Sequence, residues 1–253
     1  MISVEDASVE YKTPGRAPYQ ALGNVKVQIR DGEFFCLVGP SGCGKTTLLN
    51  LLAGFIAPTG GAIVVDGVQV RGPSPTRGVV FQSDTALFDW LSVEDNVAYG
   101  PRAQHVPRSS LQPKVKEVLK LVGLESHGQK LPRELSGGMR QRVQLARVWV
   151  NEPPILLMDE PFGALDALTR LRLQSELERI WQIKKQTVVF ITHDIDEAIR
   201  LGDRIAVMTP GPGGTIKEIV ENGLPRPRGE MSTEFVRLFN HLQRSLGVDE
   251  NAD

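Results

Sequence analysis

Residues 34–49 constrain the rest of the chain most tightly. Phe34, Phe35, Cys36, Leu37 and Val38 form an apolar run without polar alternation, the pattern of a strand buried on both faces of a parallel sheet. Gly39, Pro40, Ser41, Gly42, Cys43, Gly44, Lys45 and Thr46 then satisfy G-x-x-x-x-G-K-[ST] without mismatch. Thr47, Leu48 and Leu49 carry the chain into a helix expected over 46–53. Glycines let such a loop curl until successive N–H groups point inward at an anion, and the helix behind adds its positive end. The loop is therefore a phosphate cradle, with Lys45 reaching the β- and γ-phosphates and the Thr46 hydroxyl ligating Mg²⁺. The bland alternative, a chance glycine-rich turn, is opposed by the strand before it and the helix after it.

Composition narrows what such a cradle serves. The 253 residues suffice for one large α/β domain or two small ones, and 29 Lys+Arg against 30 Asp+Glu leave no basic excess of the kind nucleic acid calls for. The apolar runs are interrupted well before the ~20 residues that cross a bilayer. The first residues have neither the positive start nor the apolar stretch of a signal peptide. A soluble cytosolic chain is expected, with any membrane role supplied by a partner. Cys36 and Cys43 lack C-x-x-C pairing, which argues against zinc and against a disulfide framework.

Ile2, Val4, Ala7, Val9 and Tyr11 alternate weakly, as do Val25, Val27 and Ile29, so the chain opens with β-sheet. Tyr11 is placed either to stack on a purine base or simply to cover a sheet edge. After a turn at 58–61 and a strand at 62–65, residues 78–81 form a short buried strand that ends at Gln82. An amide there can touch both Mg²⁺ and an attacking water, although a solvated loop glutamine is the commoner case. From 91 to about 150 the texture turns helical, as in Val115, Val118, Leu119 and Val122, with Gly123 as a stop. The last helix of that stretch begins at Leu135, Ser136, Gly137 and Gly138, where Ser136 caps and the glycines expose the first N–H groups as a second anion site.

Residues 155–158 are a further apolar strand, closed by Asp159 and Glu160. Carboxylates beyond the end of a buried parallel strand lie where open α/β sheets hold ligands. Asp159 is expected to hold Mg²⁺ and Glu160 to polarise the water attacking a γ-phosphorus. A helix follows over 167–184 with leucines at 168, 171, 173 and 177, then a strand at 187–192 that runs directly into His193. His193 bridges a γ-phosphate to the catalytic carboxylate, or is a solvated loop residue. Asp194 with Glu197 makes an acidic capping box for the next short helix. Strands at 204–208 and 215–220, a stiff linker through Pro225, Arg226, Pro227 and Arg228, and a helix carrying Phe235, Leu238, Phe239, Leu242 and Leu246 complete the chain.

Together, over about residues 2 to 222, these residues resemble the nucleotide-binding subunit of the ATP-binding cassette transporters. They supply, in order, the Walker A stretch at 39–46, the glutamine loop at Gln82, the signature Leu135-Ser136-Gly137-Gly138, the Walker B end Asp159-Glu160, Asp166 and His193. The resemblance implies an α/β fold: a P-loop NTPase core, a mixed sheet with parallel central strands, an N-terminal antiparallel β subdomain and an α-helical subdomain inserted at about 91–150. It implies an ATPase domain over 1–222, followed at 223–253 by a linker and a C-terminal helix. Its ligands are ATP and Mg²⁺, with Tyr11 as the adenine-stacking aromatic, Lys45 and residues 39–47 on the phosphates, and Thr46, Gln82 and Asp159 at the metal. Glu160, His193, Gln82 and Lys45 are the catalytic set.

With one P-loop and one signature, the resemblance calls for a second cassette, identical or related, whose Ser136, Gly137 and Gly138 complete the ATP site. It also implies transmembrane permease subunits, reached through the segment around Leu87, Phe88, Trp90 and Leu91, and indirectly a solute-binding protein. The chain would lie peripherally on the cytoplasmic face of the inner membrane. Met139, residues 159–170 and the Pro-Arg-Pro-Arg stretch resemble the importer branch for nitrate, sulfonates and taurine. An exporter ATPase or a DNA-maintenance ATPase with the same cassette is the alternative. The DNA-maintenance enzymes carry long coiled coils before the signature, whereas residues 54–134 contain no heptad run.

Overall fold

The structure is a computed structural model that describes residues 1–12, 14–15, 17–82, 87–228 and 232–247. The chain forms two compact units, one of residues 1–77, 155–159 and 185–253, the other of residues 78–154 and 160–184. In chain order the first unit holds β1 (Ile2–Tyr11), β2 (Tyr19–Ile29), β3 (Phe34–Val38), α1 (Lys45–Ala53), β4 (Gly60–Val65) and β5 (Val68–Gln69). β6 (Arg77–Val80) leads into the second unit, which holds α2 (Val93–Ala103), α3 (Arg108–Leu121) and α4 (Gly137–Trp149). β7 (Ile155–Asp159) belongs to the first unit and α5 (Ala167–Lys184) to the second. The first unit then closes with β8 (Thr187–Ile191), α6 (Ile195–Leu201), β9 (Arg204–Met208), β10 (Ile216–Glu221) and α7 (Thr233–Ser245).

Two sheets build the first unit. The N-terminal one is antiparallel, in the order β2-β1-β4-β5, and it buries the alternating Ile2, Val4, Ala7 and Val9 as the period-two pattern requires. In the central one β10, β9, β3, β8 and β7 follow in that order. β9, β3, β8 and β7 run parallel, and β10 is antiparallel at the edge. Every residue of β3, β7 and β8 is buried, which accounts for the apolar runs 34–38, 155–158 and 188–191 without polar alternation. The registers set Leu37 opposite Ile191, and Ile191 opposite Asp159. The carboxyl ends of β3, β8 and β7 are thus neighbours, and the phosphate loop, His193 and Asp159 all leave from that one edge.

The second unit is helical. α3 buries Leu111, Val115 and Leu119, spaced by four, and its chain turns at Gly123, which adopts φ 67°. α4 buries Val143, Leu145, Ala146 and Trp149 on its inner face. Along α5 the expected leucine stripe divides: Leu173, Leu177 and Trp181, also four apart, are buried, whereas Leu168 is 81% exposed and Leu171 is exposed as well. In the first unit, α7 packs on α6 and buries Phe235 and Leu242, so the final helix returns to the core as its spacing predicts. None of the described helices is long and apolar enough to cross a membrane.

Candidate functional site

In the first unit the loop between β3 and α1 owes its shape to three glycines with different reasons to be glycine. Gly42 adopts φ 77° in open space, a left-handed conformation that other residues resist. Gly44 combines φ 102° with a position where a Cβ would stand 2.8 Å from the Ala21 carbonyl. A Cβ on Gly39 would come within 2.9 Å of Cys43 Sγ. Pro40 and Ser41 complete the turn, and Lys45 is only 8% exposed because it folds back over it, donating from Nζ to the carbonyls of Gly39 at 2.7 Å and Pro40 at 2.9 Å. α1 has no side-chain cap and no acidic residue in its first turn, where Thr46 and Thr47 lie. Its leading N–H groups and its dipole therefore carry no carboxylate from the helix's own first turn against them.

The Thr46 hydroxyl donates to Asp159 Oδ2 at 2.8 Å, joining the start of α1 to the end of β7. His193 is exposed just beyond β8, held between a buried Thr192 and the N-cap Asp194, whose Oδ1 accepts from the backbone N–H groups of Asp196 and Glu197. The expected Asp194/Glu197 capping box takes a different form. Asp194 N donates to Thr192 Oγ1 at 3.0 Å, and that hydroxyl donates to Glu197 Oε2 at 2.6 Å, so a buried threonine stands in for the direct return bond. Tyr11 ends β1, 49% exposed, and its cross-strand partner is Tyr19, 52% exposed. Directly opposed residues of an antiparallel pair share a face, so the hairpin end presents two tyrosines side by side. The sequence pattern singles out only the first, because the turn-rich residues 12–18 obscure the register.

In the second unit Glu160 adopts φ 45°, the left-handed region that a glutamate seldom enters, and its carbonyl accepts from Gly163 N at 3.1 Å to close a tight turn. Its carboxylate receives Gln82 Nε2 at 3.1 Å, so the glutamine beyond β6 and the glutamate after the apolar strand do meet. Ser136 caps α4, its Oγ accepting from Met139 N at 3.3 Å. A Cβ on Gly138 would stand 3.4 Å from the Ala164 carbonyl, an ordinary contact distance, so the start of this helix lies beside residues 164–165. Asp166 caps α5 by accepting from Thr169 N at 3.0 Å, and that backbone hydrogen bond holds its carboxyl below the ordinary range. Gln141, fully buried on α4, reaches the carbonyl of Phe81, the residue before Gln82, at 3.5 Å. Its signal in the sequence is its period, four residues ahead of Leu145 and eight ahead of Trp149.

A glycine-rich loop of the G-x-x-x-x-G-K-[ST] pattern after one buried parallel strand, and a carboxylate at the end of another within hydrogen-bond reach of the helix-start hydroxyl, are the marks of a P-loop nucleotide hydrolase. Residues 22–163 match the family model of the ABC transporter. The chain is 46% identical over 217 residues to the taurine import ATP-binding protein TauB of Roseobacter denitrificans, covering 86% of this chain and 81% of that protein. It is 48% identical over 220 residues to the nitrate import ATP-binding protein NrtD of Synechococcus elongatus, covering 86% and 80%. Among solved structures, the ATP-binding cassette MJ0796, dimeric in a post-hydrolysis state and bound to ADP and Pi, superposes with a TM-score of 0.81 at 31% identity over 89% of this chain and all of that one. The chain belongs to the ABC transporter family, as the ATP-binding, ATP-hydrolysing subunit that powers solute import.

Proposed function

We propose that two such cassettes, copies or close relatives, close head to tail on ATP and drive uptake of a small oxyanion-bearing solute of the sulfonate or nitrate kind. The observation that carries the ATPase site is the 2.8 Å bond from the Thr46 hydroxyl to Asp159. Hydroxyl and carboxylate oxygens side by side at the start of a phosphate-binding helix suit Mg²⁺, a hard cation usually bound by a few protein oxygens and by phosphate. Thr46, Asp159 and the amide oxygen of Gln82 are the groups assigned to it, and when bound it offsets charge on the β- and γ-phosphoryl oxygens. Lys45 and the N–H groups of residues 39–47 hold the phosphates, and Tyr11 stacks on the base.

Glu160 takes the proton of the water that attacks the γ-phosphorus, with its carboxylate oriented by Gln82. His193 contacts the γ-phosphate, and ADP leaves. Ser136, Gly137 and Gly138 of the opposite cassette supply N–H donors to the same phosphate, so ATP joins the two chains and its cleavage releases them.

The names of TauB and NrtD support the solute class and a place beside permease subunits on the cytoplasmic face of the membrane, with a solute-binding protein as indirect partner. An aromatic cluster supports a permease-facing surface on the second unit: Phe88 lies 5.4 Å from the Trp90 ring and 4.4 Å from the Tyr99 ring, with the Arg147 guanidinium 4.7 Å over it. Trp90 is 76% exposed, whereas Leu87, in the same segment, is buried.

The test is Glu160→Gln in a phosphate-release assay and in size-exclusion chromatography with and without ATP. Turnover is expected to fall by about 10²–10⁴-fold, the usual worth of general-base assistance, while an ATP-dependent dimer persists. Ordinary turnover in this variant removes Glu160 from its role.

A further inference from the structure

Pro225, Arg226, Pro227 and Arg228 have the composition of a stiff linker, yet Arg228 is only 6% exposed and its guanidinium lies at the C-terminal end of α6. Nη1 donates to the carbonyls of Ile199 at 3.2 Å and Gly202 at 2.6 Å, with that of Arg200 at 3.5 Å. Nη2 donates to Asn222 O at 3.2 Å, and Nε to Leu224 O at 2.9 Å. Asn222 adds bonds from Nδ2 to Ile199 O at 2.7 Å and Gly202 O at 3.0 Å. Arg226 Nη2 reaches Leu201 O at 2.5 Å and pairs with Asp203 at 2.8 Å. The last carbonyls of a helix have no partner inside it. Here the carbonyls of residues 199–202 all receive donors from the segment that follows β10.

The helix so gripped has seven residues, too few to hold shape or direction by itself. Its inner side is fixed by the buried Ala198, Ile199 and Leu201, and its other end by the Asp194 cap and the Thr192–Glu197 pair. His193 immediately precedes that cap. A rod of two turns, roughly 10 Å long, transmits a tilt at one end to the other. Burying a guanidinium is unfavourable unless its donors are used, and here Nη1 is used on the end of one short helix while Nη2 and Nε hold the chain just after β10.

We propose that Arg228, with Asn222 and Arg226, is a positioning residue for His193, holding the far end of α6 so that the imidazole stands where hydrolysis needs it. The inference rests on the reading of His193 as the γ-phosphate contact.

The test compares His193→Ala, Arg228→Lys and the double variant in steady-state ATP hydrolysis, with ¹⁵N-histidine spectra of the full chain. Lysine keeps the charge but cannot reproduce the planar fork of donors. Arg228→Lys is expected to lower kcat about tenfold, the scale of a small misplacement, while KM for ATP stays within about twofold. The double variant is expected to be no slower than His193→Ala, because both changes act through one group. In the spectra the His193 resonance moves, and those of His105 and His127, in the other unit, do not. Arg226→Gln, which loosens the Leu201 and Asp203 contacts, serves if Arg228→Lys does not fold, with the same expectations at smaller size. Parental kcat in the arginine variants, or losses that multiply in the double variant, overturns the inference and leaves the role of His193 standing. Parental kcat in His193→Ala alone removes that role first and the inference with it.

Discussion

Glu160 sits at φ 45° at the head of a tight turn, a conformation that disfavours any side chain with a Cβ by about 1–2 kcal/mol. Strain of this kind is what the proposed catalytic role of Glu160 calls for, in which carboxylate placement counts for more than stability. Glu160→Gly is expected to fold at least as stably as the parent in urea denaturation, because relief of the left-handed strain offsets the added flexibility of glycine in the unfolded chain. The same variant is expected to be hydrolytically dead. A clear loss of stability contradicts strain at this residue. Gln82, exposed beyond β6, donates from its amide to the Glu160 carboxylate at 3.1 Å.

Among elements, the turn from Phe88 to Ser92 depends on one side chain. Asn96 is fully buried on α2, accepts from Phe88 N at 2.9 Å, and donates to the carbonyls of Phe88, Leu91 and Ser92 at 3.0, 3.0 and 3.1 Å. Asn96→Ala is expected to lower the stability of the chain by about 2–4 kcal/mol in urea denaturation, because Phe88 N and Leu91 O lose this partner. A change within about 0.5 kcal/mol, as at an ordinary surface site, contradicts that account.

Elements with a local cause were legible in the chain: β3, β7 and β8 from unbroken apolar runs, α1 from the phosphate loop, α4 from Ser136, and the end of α3 from Gly123. Elements decided by what packs against them were not. Leu168 and Leu171 look like core by composition and are solvent-facing, because the buried stripe of α5 runs through 173, 177 and 181. Tyr19 became visible only once β1 and β2 were in register, and Arg228 only once α6 had an end to hold. At the site, loop and strand-end residues were readable because their chemistry demands particular residue types at fixed spacing. Thr192 and Gln141, which act by support, carry no such signature.

At the scale of the whole molecule, one chain carries two half-inventories. The first unit holds the phosphate loop, Asp159 and His193, and the second holds Gln82, Glu160 and the capped start of α4. One phosphate loop and one glycine-capped signature per chain fit a head-to-tail pair in which each chain lends what the other lacks, a closed twofold arrangement. The most direct measurement mixes two inactive variants, Lys45→Ala, which disables the phosphate loop, and Ser136→Arg, which blocks the signature helix. Each alone is expected to be inactive. In an equal mixture, dimers containing one of each retain one intact composite site, so ATP hydrolysis returns to about a quarter of the parental rate if pairing is random. A mixture as inactive as its two components contradicts the shared site.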